Sequence, residues 1–570
     1  MTKATIRVAL VALSATILLP GCALKKMKKK ADTISYEMVP EYLQVHGDSV
    51  KVTINGALPR KYFNKRAIMD LTPYIEYNGE RTDLKGFMLK GEKVVGDGTL
   101  ITKKEGGSFT YVDITGYKPA MKEAVLKLDV VGKRKAKQLE FQTFELGKGT
   151  ITTSLLAQKT EKIVSGEDQY KKVVPTTTDG KILYAINKAT IGTKEKENES
   201  IKSFRAFIEA GNVLTGVEIS GFASPDGAYA LNDKLSVNRS KSANKYLRDF
   251  LKTNGVEKAN DSTFFKRKNV AEDWDGLKAV ASKSNFSEKE QLVKIVTTVG
   301  DIKAREVEMK KLSSYKKVIA KDILPQLRRS TVLIKGNEKR KADTEISKLA
   351  MNSPKELEKE ELLYAASLTE SKADKRTIYN SFMEIYKDDW RGYNNVAFDM
   401  LEDKGDADKI EALLDEANKR SKDNPIVYNN LGVNFRNKGD FANAESYYLL
   451  AQSFGMDESL NLGNIKLKQG DYDAAIGYYG ASLNCTFNYA LANTLTSNYD
   501  AATKALGCST DEAAKFYLMA IVGARNGKTD VMTTNLTKAI AADASYKDMA
   551  KNDLEFANYM DSDAFKVAIK

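Results

Sequence analysis

The sequence predicts a multidomain protein with an N-terminal β-sandwich-like module, a central α/β domain and a C-terminal all-α repeat solenoid. Three patterns carry this prediction. Apolar and polar residues alternate across 35–160, strand and helix patterns alternate across 178–336, and helical pairs recur across 355–550. A chain of 570 residues is long enough for several domains of ordinary size.

The N-terminus has the pattern of a signal peptide over 1–21. Two basic residues precede an apolar run from Val8 to Leu19, which is too short to remain as a spanning helix. The four residues ending at Cys22, LPGC, resemble a bacterial lipobox. That resemblance implies cleavage before Cys22 and a lipid on its thiol, which anchors a protein without a transmembrane helix. The alternative is an ordinary free thiol after a signal peptide.

The next segment, 22–34, is a basic tether with five lysines between positions 25 and 30. We expect a solvated, flexible spacer; the alternative is that the lysines rest on anionic headgroups. Surface-exported lipoproteins of the Bacteroidota tend to carry acidic residues after the lipidated cysteine. The basic tether therefore favours a protein in the periplasmic leaflet of the outer membrane, facing the periplasm.

The region 35–160 predicts a strand-rich module. Runs of period-two alternation, separated by Gly, Asn, Asp and Lys turns, indicate one or two antiparallel sandwiches. We interpret the module as an interaction or spacer element. The predicted strands cover 50–54, 109–114, 124–130 and 139–144.

The region 178–336 predicts an α/β domain. A strand at 182–186, a helix at 197–210, a strand at 217–220, a Gly/Pro/Asp loop and a further helix follow in order, with a lysine-rich helix around 310–321. The stretch Gly221–Leu247 resembles the strand–loop–helix signature of the OmpA-like, peptidoglycan-binding domain. The pair Arg328-Arg329 before a β-branched run resembles that family's closing strand. The resemblance covers 178–336, with an insertion after the signature helix.

This resemblance implies a binding site for peptidoglycan. In the family, a loop aspartate and a helix arginine grip the zwitterionic end of diaminopimelate, whose ammonium needs a carboxylate and whose carboxylate needs a guanidinium. Aligned without gaps, Asn232 and Arg239 match the family, whereas the aspartate position falls on Ser224. A hydroxyl cannot neutralise an ammonium. Asp226, two residues further on, is the remaining acidic candidate, so Ser224, Asp226, Asn232 and Arg239 form the predicted site.

Two of these residues have a structural alternative. For Asp226 we favour an N-cap of the following helix, because Pro-Asp-Gly is typical of a turn that opens a helix. For Arg239 the alternative is a helix-surface charge or a salt bridge to Glu218 or Asp233. These alternatives predict different geometry at the start of the helix.

The region 355–550 predicts a helical repeat. Gly405 and Gly439 lie 34 residues apart, which is the period of a tetratricopeptide repeat. The small and large residues between Tyr428 and Ala451 resemble the pattern of that family. The resemblance implies that Gly432 and Ala444 lie where paired helices pack closely, and that stacked repeats form a groove for a protein partner.

Composition excludes several kinds of site. The chain has one histidine, His46, and three cysteines, so a zinc site or a histidine-dependent catalytic centre is not expected. We predict no enzyme activity, no catalytic residues, no metal and no cofactor. The net charge of +13 favours anionic envelope polymers, and an exported chain is not expected to bind nucleic acid. Cys485 and Cys508 either pair in an oxidising periplasm or stay free.

Three functions follow from these patterns. The first is an outer-membrane-anchored periplasmic lipoprotein that organises the envelope through peptidoglycan and repeat-bound protein. The second is a scaffold subunit of an outer-membrane assembly or secretion complex that does not bind the wall. The third and weakest is a carboxylate-dependent hydrolase, since no paired motif singles out its residues. The layout as a whole resembles envelope lipoproteins of the Bacteroidota.

Overall fold

A computed structural model of the chain describes residues 22–510 and 513–570, so the predicted signal peptide 1–21 lies outside the described residues. The chain divides into two compact units. The first comprises Met1–Gly166 and Met383–Lys570, and the second comprises Glu167–Phe382. A search of the described residues finds no helix with the length and apolar character needed to cross a membrane.

The N-terminal part of the first unit is a module of two sheets around one shared hydrophobic core. Within its described residues, five strands form one sheet and seven form the other. The strand-rich N-terminal region is therefore as predicted. The elements are α1 (Cys22–Lys29), β1 (Ser35–Met38), β2 (Leu43–His46), β3 (Ser49–Leu58), β4 (Ile68–Tyr77), β5 (Glu80–Asp83), β6 (Phe87–Gly91), β7 (Thr99–Ile101), β8 (Gly107–Gly116), β9 (Val125–Arg134), β10 (Lys137–Glu140), β11 (Phe144–Lys148) and β12 (Thr150–Ile151).

One predicted strand of the module is divided. The run 139–144 forms the end of β10 and the start of β11, and both strands pair antiparallel with β9. The chain leaves the ladder between them, where the Thr143 hydroxyl donates to Asp129 Oδ1 at 2.7 Å. The Phe141 N–H still donates to the Val130 carbonyl of β9 at 2.8 Å, so the break is local and alternation alone does not reveal it.

The segment predicted to be a solvated spacer is folded onto the module, so that prediction is wrong. Leu24, Met27 and Ala31 are buried in the module's core. Their spacing places them on one face of α1 and the turn that follows it. Lys28 Nζ donates to the Glu140 carbonyl of β10 at 2.9 Å. The abundant lysines conceal this apolar face in the sequence.

The second unit contains a mixed four-stranded sheet, within its described residues, in the order β13-β16-β14-β15. β14 is parallel to β15, and β16 is antiparallel to both β13 and β14. The elements are β13 (Pro175–Leu183), α2 (Glu199–Glu209), β14 (Val213–Phe222), α3 (Tyr229–Thr253), β15 (Phe265–Val270), α4 (Trp274–Lys283), α5 (Lys289–Thr298), α6 (Ile302–Lys311), α7 (Leu324–Leu327), β16 (Arg329–Asn337), α8 (Asp343–Asn352), α9 (Lys359–Ala365) and α10 (Lys372–Ile385).

Three boundaries in this unit differ from the sequence expectations. The first strand ends at Leu183 rather than continuing to 186. The predicted helix at 310–321 is interrupted between α6 and a π-helical segment, Tyr315–Ile323, because the Glu288 carboxylate accepts the backbone N–H groups of Ser313 and Ser314. Helices α8, α9 and most of α10 belong to this unit, so the repeat hairpins begin after the predicted start at 355.

The C-terminal part of the first unit is all-helical and consists of successive helix pairs, consistent with a tetratricopeptide-like solenoid. A Cβ at Gly432 would lie 2.5 Å from the Tyr448 ring, so the predicted close packing at Gly432 is confirmed. The helices are α11 (Trp390–Glu402), α12 (Ala407–Arg420), α13 (Pro425–Asn437), α14 (Phe441–Ser453), α15 (Ser459–Gln469), α16 (Tyr472–Tyr479), α17 (Phe487–Leu495), α18 (Tyr499–Cys508), α19 (Ala513–Arg525), α20 (Thr529–Ala542), α21 (Ser545–Lys551) and α22 (Asp563–Ala568).

The sheet module and the repeats contact each other within the first unit. Lys468 Nζ lies 2.6 Å from Asp48 Oδ1 in the turn between β2 and β3. In the same turn, the Gly47 N–H donates to the Tyr472 hydroxyl at 3.3 Å. Among the repeats, Cys485 and Cys508 form a disulfide, which resolves the alternative that the sequence left open.

Candidate functional site

The loop after β14 brings three polar side chains together. Ser224 Oγ donates to Asp226 Oδ1 at 2.5 Å. Arg328, which immediately precedes β16, reaches the same place: its Nε lies 3.4 Å from Ser224 Oγ and its Nη2 lies 3.5 Å from Asp226 Oδ2. The acidic candidate of the predicted site therefore already has a cationic partner in the chain.

Asp226 does not cap the signature helix, so the favoured N-cap prediction is wrong. Helix α3 begins at Tyr229, and its N-cap residue is Ala228, which makes no side-chain capping bond. The Asp226 carboxylate turns instead toward Ser224 and Arg328. The Ser224 hydroxyl and the Arg328 guanidinium thus take up the carboxylate that a cap would need.

Arg239 is enclosed rather than displayed on the helix surface, since only 1% of the residue is exposed. Its Nε donates to the Lys188 carbonyl at 3.1 Å and its Nη1 to the Phe222 carbonyl at 2.8 Å, while its guanidinium lies 5.3 Å from the centre of the Tyr184 ring. Burial lowers its pKa to about 10, so the group stays charged at neutral pH. The Arg239 side chain therefore connects α3 to the end of β14.

The salt bridge considered between Arg239 and Glu218 does not form, because Glu218 pairs with Lys335 at 2.8 Å. Asn232, also predicted in the site, is buried, and its Nδ2 donates to the Gly227 carbonyl at 3.2 Å. That bond closes the loop onto the first turns of α3. Asn232 thus shapes the loop from within.

Gly221 explains why strand and helix lie so close at this site. A Cβ at this position would lie 2.2 Å from the Ser236 carbonyl oxygen on α3. Any larger residue would push the helix away, and with it Arg239. The motif's glycine, serine and arginine together form a packing junction.

Arg328 is a site residue that the sequence analysis treated only as a strand marker. The register pairs Ser330 of β16 with Gly221 of β14, which places the residue before β16 beside the loop. Its neighbour Arg329 lies 2.6 Å from Asp273 Oδ2. The arginine pair before the last strand was the available signal, but only the pairing of β14 with β16 connects it to Asp226.

The insertion after the signature helix contributes two further groups. Tyr315 has its pKa raised by burial and by the nearby Asp226 charge. The Lys310 pKa is raised by a bond to Glu306 and, to a smaller extent, by Asp226. Asp226 therefore lies near Lys310 and Tyr315 as well as Arg328.

The lipidation candidate, Cys22, is the first residue of α1. Because α1 packs on the sheet module, the predicted anchor point lies directly beside that module, without an intervening spacer. A search of the described residues finds no cluster of His, Cys, Asp and Glu able to hold a metal ion.

A second site, which the sequence analysis missed, lies on the first helices of the repeat hairpins. These helices carry buried asparagines that hold an extended segment of the chain, 157–166, which we call the strap. An asparagine amide can both accept from an N–H and donate to a C=O of one extended residue. The residues are Asn394 and Asn395 on α11, Asn429 and Asn430 on α13, Asn461 and Asn464 on α15, and Asn488 on α17.

The asparagines clamp alternate residues of the strap through hydrogen bonds to their backbone. Asn430 accepts the Val164 N–H at 3.0 Å and donates to the Val164 carbonyl at 2.7 Å. Asn395 makes the same pair of bonds to Gly166, at 2.6 and 2.9 Å. Period two is the spacing of extended backbone, so one face of the strap meets the asparagines. The remaining clamped residues are Gln158, Thr160 and Lys162.

Strap side chains at the positions between the asparagine-bonded residues fix the register of the strap. Glu161 lies 2.5 Å from Arg436 Nη2, and Ile163 packs against the core of the adjoining repeats. The first helices α11, α13, α15 and α17 are therefore occupied by the chain's own backbone.

A buried acid lies under the strap. Glu458 is fully buried, and burial raises its pKa to about 7. Asn461 Nδ2 donates to Glu458 Oε2 at 3.0 Å and also reaches the Lys162 carbonyl at 3.3 Å. One amide thus links the acid to the strap.

Comparisons with known proteins add a limited likeness. No family model and no curated protein matches the chain. A structure described as the functional characterisation of Pseudomonas aeruginosa PilF is 15% identical, covering 40% of this chain and 98% of its own, with a TM-score of 0.27. A structure of the APC/C hetero-tetramer Cut9–Hcn1 is 13% identical, covering 60% of this chain and 76% of its own, with a TM-score of 0.31.

Proposed function

We propose that this chain is a non-enzymatic scaffold of the bacterial envelope, anchored by a lipid on Cys22 in the outer membrane and facing the periplasm. One observation carries the choice of scaffold over wall binding. Asp226 is paired with Arg328, and Arg239 donates to two backbone carbonyls, so both charges of the predicted wall site are already engaged within the chain.

The same reasoning places a protein partner away from the strap. Because the strap covers the first-helix face of the repeats, a partner meets the second helices. This side carries exposed large apolar side chains at Leu449 and Leu450 of α14 and at Phe454 just after it. We therefore assign protein recruitment to this side of the repeats.

In-cell crosslinking followed by co-purification of outer-membrane proteins tests the scaffold role. We expect specific co-purifying proteins with the wild type and their loss with Leu450→Glu combined with Phe454→Glu. The matched control is Lys241→Glu combined with Lys245→Glu, on exposed positions of the other unit. Equal recovery with both double variants would show that α14 is not the docking side.

The anchor is tested separately. Metabolic labelling with an alkynyl fatty acid should label the wild type and leave Cys22→Ser unlabelled, and protease treatment of intact cells should leave the protein uncut. Labelling of both forms, or of neither, contradicts lipidation at Cys22. Removal by the protease contradicts the periplasmic orientation.

Peptidoglycan contact is the second candidate function. It is favoured by the cluster of Ser224, Asp226 and Arg328 at the end of β14, where the resemblance implies the ligand. For the wall to bind there, the ammonium of diaminopimelate has to displace the Arg328 guanidinium from the Asp226 carboxylate. That exchange is the step that a wall-binding measurement examines.

A further inference from the structure

A basic surface of the sheet module lies beside the predicted anchor. Five lysines of α1 and the residue after it are exposed, at positions 25, 26, 28, 29 and 30. The hairpin formed by β9 and β10 adds exposed lysines at 133, 135 and 137 and the half-buried Arg134. We call these nine side chains the basic platform.

The two parts of the platform are held together by packing. A Cβ at Gly132 of β9 would lie 3.4 Å from Leu24 Cδ2, so α1 rests on the hairpin itself. Leu24 and Met27 are buried in the module's core, and Lys28 bonds to the backbone of β10. The lysines of α1 therefore cannot swing away from those of the hairpin.

Acidic groups near the platform do not balance its charge. Asp70 pairs with Lys133, and Asp32 accepts from the Gln142 amide at 2.5 Å. Glu140 contributes its carbonyl to Lys28 rather than its carboxylate. Eight exposed lysines and the half-buried Arg134 thus outnumber these three carboxylates.

The position of the platform identifies its partner. With the proposed anchor, an acyl chain on Cys22 enters the bilayer at the start of α1. An eight-residue helix is about 12 Å long, so the lysines of α1 lie close to the headgroups. Attraction between exposed charges acts over about 8–10 Å at physiological salt.

We propose that the basic platform is a binding surface for anionic phospholipid headgroups, which seats the sheet module on the bilayer in one orientation. The hydrophobic anchor supplies attachment and the hairpin lysines supply the second contact. The proposal deepens the anchored scaffold, since an anchor at Cys22 is what brings the platform to the bilayer. In this proposal the segment predicted to be a flexible tether is a rigid contact between the sheet module and the bilayer.

The test uses the unacylated chain 22–570 with Cys22→Ser, so that the lipid does not dominate binding. Co-sedimentation with phosphatidylglycerol vesicles is compared with phosphatidylcholine vesicles at low and high salt. We expect preferential binding to phosphatidylglycerol that weakens with salt. Lys135→Glu combined with Lys137→Glu should weaken it at least about 30-fold, because each lysine near an anionic surface accounts for about a fivefold change.

The control is Lys241→Glu combined with Lys245→Glu, which makes the same charge change on exposed positions of α3. The control should retain vesicle binding. Equal losses in both double variants would mean that only net charge matters and would overturn the proposal, as would equal binding to both lipids. Failure of fatty-acid labelling with intact vesicle binding would instead reject the anchor and leave the platform standing.

Discussion

Replacing Asn430 by alanine should release the strap. Asn430 makes two bonds to Val164, one accepted and one donated, and two to neighbouring asparagines: it donates to Asn394 Oδ1 at 2.9 Å and accepts from Asn429 Nδ2 at 2.8 Å. The Val164 carbonyl keeps a bond from Asn394 at 3.2 Å, but its N–H loses its partner. At about 1 kcal/mol for each lost bond, and more for a buried donor left unpaired, the local cost is about 2–3 kcal/mol.

Hydrogen exchange of strap amides measures this cost directly, because strap opening is a local event. Exchange at Lys162, Val164 and Gly166 should become about 30- to 150-fold faster in Asn430→Ala. The control is Asn437→Ala, which removes an exposed asparagine from the same helix and should leave exchange unchanged. Unchanged protection in Asn430→Ala, or equal acceleration in the control, would refute the role of the asparagine row.

Three further predictions concern the repeats. Gly463→Ala should lower the free energy of unfolding by about 1–3 kcal/mol, because its Cβ would lie 2.4 Å from the Tyr479 ring, whereas Gly477→Ala, with open space around it, should be neutral or stabilising by denaturant titration. The contribution of Glu458 to stability should fall as pH rises from about 4.5 to 7, because the unfolded Glu458 loses its proton before the buried one does; between pH 5 and 8 the wild type should therefore lose about 2–3 kcal/mol relative to Glu458→Gln. Reducing the disulfide between Cys485 and Cys508, which are separated by 23 residues, should lower the stability of the repeats by about 3 kcal/mol in thermal unfolding.

Each of these has a result that would count against it. A stable Gly463→Ala variant would mean that the paired helices can separate at no cost. A pH dependence that is the same in Glu458→Gln and in the wild type would place the titrating group elsewhere. Identical melting with and without reductant would mean that the helices around the disulfide are held by packing alone.

The regular elements were predictable because side-chain periodicity determines them. Alternation identified β3 and β8, and the small residues of the repeat pattern identified the contact of Gly432 with Tyr448. The apolar face of α1 was missed because Leu24 and Met27 stand among lysines. The lysine-rich composition of this segment favoured a flexible tether, whereas the three-residue spacing of Leu24 and Met27 indicated a helix.

The contacts of the candidate sites were less predictable, because they join distant parts of the chain. Arg328 and Asp226 are brought together by the register of β14 and β16. The strap is bound mainly through its backbone, so its own sequence carries little signal. The available signal was an asparagine that recurs on the first helix of successive hairpins, as at Asn430 and Asn461. These asparagines are buried and bind the strap.

The measurement that tests the account most directly is retention of the purified chain by peptidoglycan sacculi, with free diaminopimelate as competitor. If Asp226 is satisfied by Arg328, the wild type and Asp226→Asn should be retained equally weakly, and the competitor should change neither. Saturable retention of the wild type that diaminopimelate displaces, and that Asp226→Asn loses, would contradict the scaffold account and establish the loop as a wall-binding site.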